Sequence, residues 1–484
     1  MNKVLLKNYF FNILIVFTNV IFPLLLFPYA SRVLSPEQYG KYNYAISIAS
    51  YFISIANLGV QSYGLRELAK VRNCVESLSK KFSEVFFITF LSSMISTVIY
   101  VTLILTIKEL RNELVLFTIV GLTIVTSFMN LDYLFVALEN HKRRTMRLLV
   151  TRVLSLAFLF YLVKTEQDYK IFTAIMILPE IFVKVLDIYS IRGYLRLKFS
   201  EMNLRGHMKP LLIIFFYILS QTVYMNLDST MLGSMKGNES VGYYSVAIKM
   251  AKIVLPLVSS LGVVLSPRII ESIKNGDKSK IYQDMDLCLN FIFFVTIPAV
   301  FLMFIVSDNM VLMFSGIKYV EAILPMRVML PIIIFISISS FASGQVLIPT
   351  DNEQKVLNVA VVGVLLNLAL NFALIPKYSI LGAAIATLFA EFIVYILRVK
   401  EVKKVFIDYK MFSMERLNYI IAGVVSFLVV GGLKISVLPE PNFLNFIILS
   451  IIYALIYLTV LFIKKEYFLI EGLNILNKIV KKRG

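Results

Sequence analysis

The chain alternates long apolar runs with short polar breaks, and the runs are about as long as a bilayer is thick. A helix needs roughly 20 apolar residues to cross hydrocarbon. Segments of that order lie at Tyr9–Leu34, Tyr39–Leu65, Phe82–Ile107, Leu114–Leu138, Leu148–Val163 and Ile171–Ile191 in the first half. The second half has Leu211–Met235, Val241–Pro267, Leu287–Val306, Ala322–Ile348, Val356–Ile375, Ile380–Leu397, Leu417–Ile435 and Phe443–Ile463. The pattern predicts an all-α, polytopic integral membrane protein of about fourteen transmembrane helices. The expected division is an N-lobe of six helices in residues 1–198, a C-lobe of six in 199–404, and two additional helices with a basic tail in 405–484.

Composition agrees with the pattern. Of 484 residues, 58% are hydrophobic and only 16% charged, which excludes a soluble multidomain protein. The net charge of +18 would point to nucleic acid in a soluble chain, but here the bases sit between the apolar runs. Arg66, Lys70, Arg72, Lys80 and Lys81 fill one break, Lys142, Arg143, Arg144 and Arg147 the next but one, and Arg192, Arg196, Lys198, Arg205 and Lys209 another. Arg268 to Lys280, Arg398 to Arg416 and the tail Lys481, Lys482 and Arg483 continue the alternation, while the intervening breaks hold one or two bases each. Such bias places the basic breaks and both termini in the cytoplasm. The first run, behind Lys3 and Lys7, leads into further spans and is expected to be retained rather than cleaved as a signal peptide. Cys74 and Cys288 fall near the cytoplasmic side, away from disulfide-forming surroundings. His141 and His207 are placed in cytoplasmic loops, too isolated to hold a metal.

One stretch recurs. Setting Glu37 on Glu239 also superposes Gly40 on Gly242, Tyr42 on Tyr244, Ala45 on Ala247 and Ile46 on Ile248 without a gap. Glu180-Ile-Phe-Val183 and Glu391-Phe-Ile-Val394 repeat at a similar offset, so the two halves read as copies of one unit, a frequent plan among transporters.

Ionisable side chains within spans cost a few kcal/mol each on insertion scales and default to functional candidates. The basic candidates are Arg32, Arg152, Lys249, Lys252 and Arg327; the acidic and pairing candidates are Asp132, Glu180, Lys184, Asp228 and Glu391, with Asp187 beside them. Glu180 and Lys184, four apart with the acid first, suit an intrahelical pair. Asp228 and Lys249 fall at similar depth on either side of a short polar turn, so they are expected to pair, which leaves Lys252 as surplus positive charge. Neither a His-containing triad, metal-ligand spacing nor a phosphate-cradling glycine loop is present in the sequence. Transport is favoured over catalysis.

The segments FPYASRVLSPEQYGKYNYAISIASYF, ANLGVQSYGLRELAKVR, LDYLFVALENHK, NLDSTMLG with VGYYSVAIKM, and GAAIATLFAEFIVYILR resemble, in collinear order over roughly the first 400 residues, the Wzx-type polysaccharide repeat-unit flippases (O-antigen or capsule). These belong to the superfamily of the multidrug and toxin extrusion antiporters and the lipid II flippase. The resemblance implies two lobes in a V shape around a cationic cavity. It also implies movement of undecaprenyl-diphosphate-linked oligosaccharides from the cytoplasmic to the outer leaflet of the bacterial cytoplasmic membrane. The family often has Trp and Gln in the third of these motifs, where this chain has Tyr133 and Val136. Expected partners are the lipid-linked oligosaccharide, membrane lipids and other polysaccharide-assembly proteins, and not nucleic acid. No cofactor is expected, and coupling to H+ or Na+ is not readable. Two alternatives stay open: a drug or toxin cation antiporter of the same superfamily, and an integral-membrane polysaccharide polymerase or ligase.

Overall fold

The computed structural model describes residues 3–191, 202–411, 413–466 and 469–470. Every regular element in them is helical. In chain order these are α1 (Lys3–Val33), α2 (Pro36–Asn57), α3 (Val60–Val71), α4 (Val75–Thr106), α5 (Lys108–Arg111), α6 (Leu114–Val125), α7 (Asp132–Ala137), α8 (His141–Leu162), α9 (Tyr169–Ile191) and α10 (Leu204–Lys236). There follow α11 (Asn238–Ala251), α12 (Leu255–Lys274), α13 (Lys278–Ile305), α14 (Ser307–Ser315), α15 (Ile323–Met329), α16 (Ile332–Phe341), α17 (Glu353–Val405), α18 (Met414–Ser436) and α19 (Phe443–Ile463). The tail bases Lys481, Lys482 and Arg483, and Arg192, Arg196 and Lys198 at the expected lobe boundary, lie outside the described residues.

The chain forms two compact units, Met1–Gly242 and Tyr243–Gly484. The expected N-lobe ended at residue 198; the compact unit continues to Gly242 because α10 packs along α2. Two hydroxyl pairs fix that packing, Tyr51 with Thr230 at 2.9 Å and Ser54 with Thr222 at 2.8 Å.

In the first unit, α2 starts where Ser35 caps it, its hydroxyl accepting from the Gln38 amide, with Pro36 in the first turn. Proline suits that position because its missing N–H is one that the helix leaves unpaired anyway. The helix ends at Leu58 and Gly59, both left-handed, and resumes as α3. A Cβ at Gly59 would lie 2.8 Å from the Ile214 side chain, so bend and close approach both require glycine there. Two apolar cores result, one of Val60, Leu68, Phe82, Leu134 and neighbours, the other of Ala45, Ala49, Leu116, Val120, Ile124 and neighbours.

The glycines that the repeat alignment superposes meet each other's backbones. A Cβ on Gly40 would fall on the Asn238 carbonyl, and a Cβ on Gly242 on the Pro36 carbonyl. Asn238 stands in the repeat where Pro36 does, so the contact is reciprocal, and all four residues belong to the first unit. Small residues are what let helix backbones come this close in a membrane.

The second unit carries more breaks. The run Val241–Pro267 is two helices, interrupted over Lys252–Val254 ahead of Pro256. The run Ala322–Ile348 comprises α15, α16 and a π-helical turn over Ala342–Leu347. Within α17, Ser379 leaves helical geometry, and a Cβ on Gly382 would fall on the Leu374 carbonyl. Eight residues of straight helix would separate those positions by about 12 Å, so the chain turns back there, and the runs Val356–Ile375 and Ile380–Leu397 flank the turn. α18 and α19 pack together, and α18 rests on α13, tied by Arg416 to Asp286 and Asn290.

Among the described residues, nine helices are long and apolar enough to cross a membrane, ten if the bent pair Leu114–Val125 and Ser127–Ala137 is one span. That is fewer than the fourteen expected runs, all of which nevertheless fall on helical segments. The difference has local causes: α17 holds two runs, the run Val241–Pro267 is broken between α11 and α12, α9 carries Lys170, Glu180, Lys184 and Asp187, and in the first run only Ile21–Val33 is found as an apolar helix among the described residues.

The glycine contact makes a prediction. Gly40→Ala and Gly242→Ala each press a methyl against backbone that cannot rotate away, and overpacking of this kind costs about 1–3 kcal/mol or more. Both should lower the unfolding midpoint in detergent, whereas Gly432→Ala, with nothing within 4 Å and a helical backbone that favours alanine by about 1 kcal/mol, should not. Equal midpoints for all three would show that the contact does not constrain the fold.

Candidate functional site

A charged cavity lies in the first unit, built by α7, α8 and α9. Its volume is about 340 Å³, and its lining includes Asn130, Asp132, Arg144, Arg147, Thr151, Glu180 and Lys184. Helix periodicity puts these groups together. Arg144, Arg147 and Thr151 on α8, and Glu180, Lys184 and Asp187 on α9, recur every three or four residues and so share a face.

Arg147 is the keystone, with its guanidinium bridging the carboxylates of Asp132 and Asp187. Asp187 is buried, its side chain only 3% exposed. Arg143 approaches the same carboxylate at 3.6 Å and Arg144 approaches Asp132 at 4.0 Å. The guanidinium groups of Arg143 and Arg147 also lie over the Phe135 ring, 4.9 and 5.6 Å from its centre, an arrangement that stabilises cations out of water. Arg152 is one turn beyond Leu148, over the Phe22 ring at 4.4 Å, with Nη1 donating to the Thr18 carbonyl at 3.5 Å. It lies within electrostatic reach of Glu180, as does Lys184. Five cations, Arg143, Arg144, Arg147, Arg152 and Lys184, therefore stand against three carboxylates, Asp132, Glu180 and Asp187.

Of the candidates read from sequence, Asp132, Glu180 and Lys184 line this cavity and Arg152 stands beside it. The others are placed elsewhere. Arg32 is exposed in the last turn of α1, Asp228 is buried on α10, and Lys249 and Lys252 belong to the second unit, Lys252 at the break between α11 and α12. Glu391 is buried on α17. Arg327, on α15, donates from Nε to the Ser307 hydroxyl at 2.5 Å and sits over the Phe304 ring. It shares a cavity of about 450 Å³ with Asp308 and Lys434, which pair with each other.

Sequence reasoning missed Arg144 and Arg147, taking them for loop charges that only set topology. The helix starts at His141, about two turns before the apolar run, so the basic stretch is part of α8 and points at α9. The three-residue spacing of the two arginines, aligned with Thr151, was the available signal. His207 is a correction too. It is not an isolated loop residue but is buried on α10, with Nδ1 2.6 Å from the Tyr63 hydroxyl and Nε2 2.8 Å from a Glu84 oxygen. Lys81 completes that network, 3.1 Å from Glu84. Tyr133, in the motif that departs from the family pattern, is buried against Gly64 and Phe82 and so belongs to the core.

The polysaccharide biosynthesis protein family model matches residues 5–273, more than half the chain, and the MatE model matches 214–373. The chain belongs to the polysaccharide biosynthesis protein family. This family member is 22% identical over 383 residues to the putative O-antigen transporter of Escherichia coli, covering 78% of the chain and 91% of the relative. It is 20% identical to the capsular polysaccharide biosynthesis protein CapF of Staphylococcus aureus, covering 75% and 91%. In fold it is similar to the lipid II flippase MurJ in an inward closed conformation, with a TM-score of 0.71 at 18% identity over 94% of the chain and 97% of the neighbour. It is also similar to an inward-facing multidrug MATE transporter, with a TM-score of 0.59 at 12% identity over 81% and 96%. The fold is thus similar to that of MurJ and the MATE transporters, and the family member is a multi-pass membrane protein.

The charge arrangement predicts unequal roles for the arginines. Removing Arg147 leaves the buried Asp187 with Arg143 at 3.6 Å and Asp132 with Arg144 at 4.0 Å, so the loss approaches the about 3–5 kcal/mol that breaking a buried pair costs. Arg147→Gln should therefore lower the unfolding midpoint strongly, Arg144→Gln slightly, and the double change Arg147→Gln with Asp187→Asn should recover most of the loss. Absence of that recovery would show that the pairing does not carry the stability.

Proposed function

We propose that this protein is a flippase for lipid-linked polysaccharide precursors. In this reading it moves undecaprenyl-diphosphate-linked oligosaccharide repeat units from the cytoplasmic to the outer leaflet of the bacterial cytoplasmic membrane by alternating access, with both termini in the cytoplasm. The observation that carries the reading is the cationic surplus in the α7–α8–α9 cavity, set within apolar helices of a polysaccharide biosynthesis family member.

The chemistry follows from the barrier. A diphosphate and its sugars do not cross about 30 Å of hydrocarbon unaided, and a cavity lined by Arg144, Arg147 and Lys184 against Asp132 and Glu180, with Arg143, Arg152 and Asp187 around it, would offer the diphosphate a local counter-charge. With the membrane negative inside, outward movement of the anionic head is favoured by about 2.3 kcal/mol per charge per 100 mV, so the protein has chiefly to lower the barrier. The relatives named for an activity, the O-antigen transporter and the probable flippase AglR of Haloferax volcanii, support transport rather than bond formation. Arg32, Lys249, Lys252 and Arg327 remain part of the proposal as further candidate cations.

The test is translocation of a fluorescent lipid-linked oligosaccharide in proteoliposomes. Arg152→Gln and Lys184→Gln should slow it about tenfold or more while leaving the unfolding midpoint unchanged, because neither anchors the Arg147 bridge. Lys403→Gln and Lys404→Gln, on the exposed end of α17, should be neutral. Normal translocation by both cavity variants would overturn the cavity assignment. Uptake of cationic dyes with no movement of the lipid-linked sugar would favour a drug antiporter.

A further inference from the structure

A second cavity in the first unit, the roomiest described, takes no part in the reading above. It measures about 770 Å³ and runs between α2, the C-terminal half of α4, α5, α6 and α10. Along α2 its lining passes from Lys41 through Tyr44, Ile48 and Tyr51 to Phe52, eleven residues or about 16 Å of helix. Along α10 it follows Thr230, Gly233, Ser234 and Gly237, again one face. The crevice is therefore about half as deep as the hydrocarbon is thick.

Its two ends differ in chemistry. The deep end is apolar, with Ile48, Phe52, Leu103, Leu116 and Phe117. The mouth carries charges of both signs. Lys41 lies 2.8 Å from Glu113 and 3.2 Å from Glu37, Tyr169 donates to Glu113 at 2.7 Å, and Glu109 is exposed beside Tyr44. The Asn238 side-chain oxygen at the mouth is buried without a hydrogen-bond partner. The α4–α6 connection at this end is one of the base-poor breaks, which positive-inside reasoning puts outside the cell.

We propose that this crevice is a binding site for an outer-leaflet aminophospholipid, phosphatidylethanolamine in chemical class. An apolar tunnel fits an acyl chain. The mixed mouth fits a zwitterionic head, with the phosphate at Lys41, the ammonium at Glu109, and a spare ammonium proton for the Asn238 oxygen. A net-anionic head gains from Lys41 but is repelled by three carboxylates, and the binding step is independent of what the protein transports. Gly233 keeps the passage open, since Tyr44 already packs against the position of its missing Cβ.

The experiment is native mass spectrometry of the intact protein, from nanodiscs of equal parts phosphatidylethanolamine and phosphatidylglycerol, with unfolding midpoints measured in each pure lipid. The native chain should retain the ethanolamine lipid several-fold over the glycerol lipid and be stabilised by it, since a ligand that binds only the folded state raises its stability. Glu109→Gln, and separately Ser234→Trp, which fills the mouth from an exposed position, should each cut that preference at least threefold without changing the midpoint in phosphatidylglycerol. Equal retention of the two lipids by the native chain, or a preference untouched by both variants, overturns the proposal. Loss of lipid-linked oligosaccharide transport with lipid retention intact would bear on the flippase reading alone.

Discussion

The closest constraint in the first unit is backbone against backbone. Where the first turn of α2 meets residues 238–242, Gly40 faces the Asn238 carbonyl and Gly242 faces the Pro36 carbonyl, and neither position has room for a Cβ. Because the four residues are equivalent in pairs under the alignment of Glu37 on Glu239, one duplicated sequence supplies both sides of the contact. A self-complementary contact of this kind forms when a unit meets its own copy, as at a two-fold interface between subunits. Much of the first unit hangs on it: α2 is held at its start by these glycines and further along by the Tyr51–Thr230 and Ser54–Thr222 pairs with α10, and the larger described cavity of that unit is lined along both α2 and α10.

The second constraint is electrostatic. A charge in hydrocarbon is costly unless it has a partner, and the α7–α8–α9 cluster meets this by sharing. One guanidinium, that of Arg147, serves two carboxylates, aromatic faces of Phe135 and Phe22 lie under it and two others, and helix spacing keeps the acids and bases of α8 and α9 on facing stripes. The same logic explains the network of Tyr63, Lys81, Glu84 and His207, where a buried carboxylate on α4 accepts from both the histidine on α10 and the lysine three residues before it.

How much of this could be read in the sequence depends on the range of the physics involved. Apolar run length is local, so the helices and their breaks were legible, and the in-span charges Asp132, Glu180, Lys184 and Arg152 were visible as exceptions to the apolar background. Partner choice is not local. Asp132 and Arg147 are fifteen residues apart, His207 and Glu84 more than a hundred, and no periodicity links them. Arg144 and Arg147 escaped notice because one stretch of bases satisfies two demands: the positive-inside bias explained them fully, leaving no residual to ask whether α8 began before its apolar run. The expected lobe end at residue 198 and the limit of the compact unit at Gly242 differ for a related reason. Six apolar runs precede residue 198, which suggests a six-helix lobe, whereas packing sets α10 against α2 through hydroxyl pairs between residues far apart in sequence.

The incomplete neutrality of the cavity bears on the proposed transport. A cluster of five unopposed cations would hold a diphosphate tightly, and a carrier that binds its cargo tightly at every stage gains nothing in rate, because uniform binding deepens the well without lowering the barrier. Conduction through a polar pathway needs sites attractive enough to enter and weak enough to leave. Asp132, Asp187 and Glu180 supply that moderation, occupying the cations when no anion is present and competing with one when it arrives. Arg147, locked between two carboxylates, is the cation least able to change partners; Arg152 and Lys184, both within electrostatic reach of Glu180, stand outside that bridge. The arrangement therefore separates the arginine that holds the cavity together from the bases that, in the proposed function, would exchange a carboxylate for a phosphate.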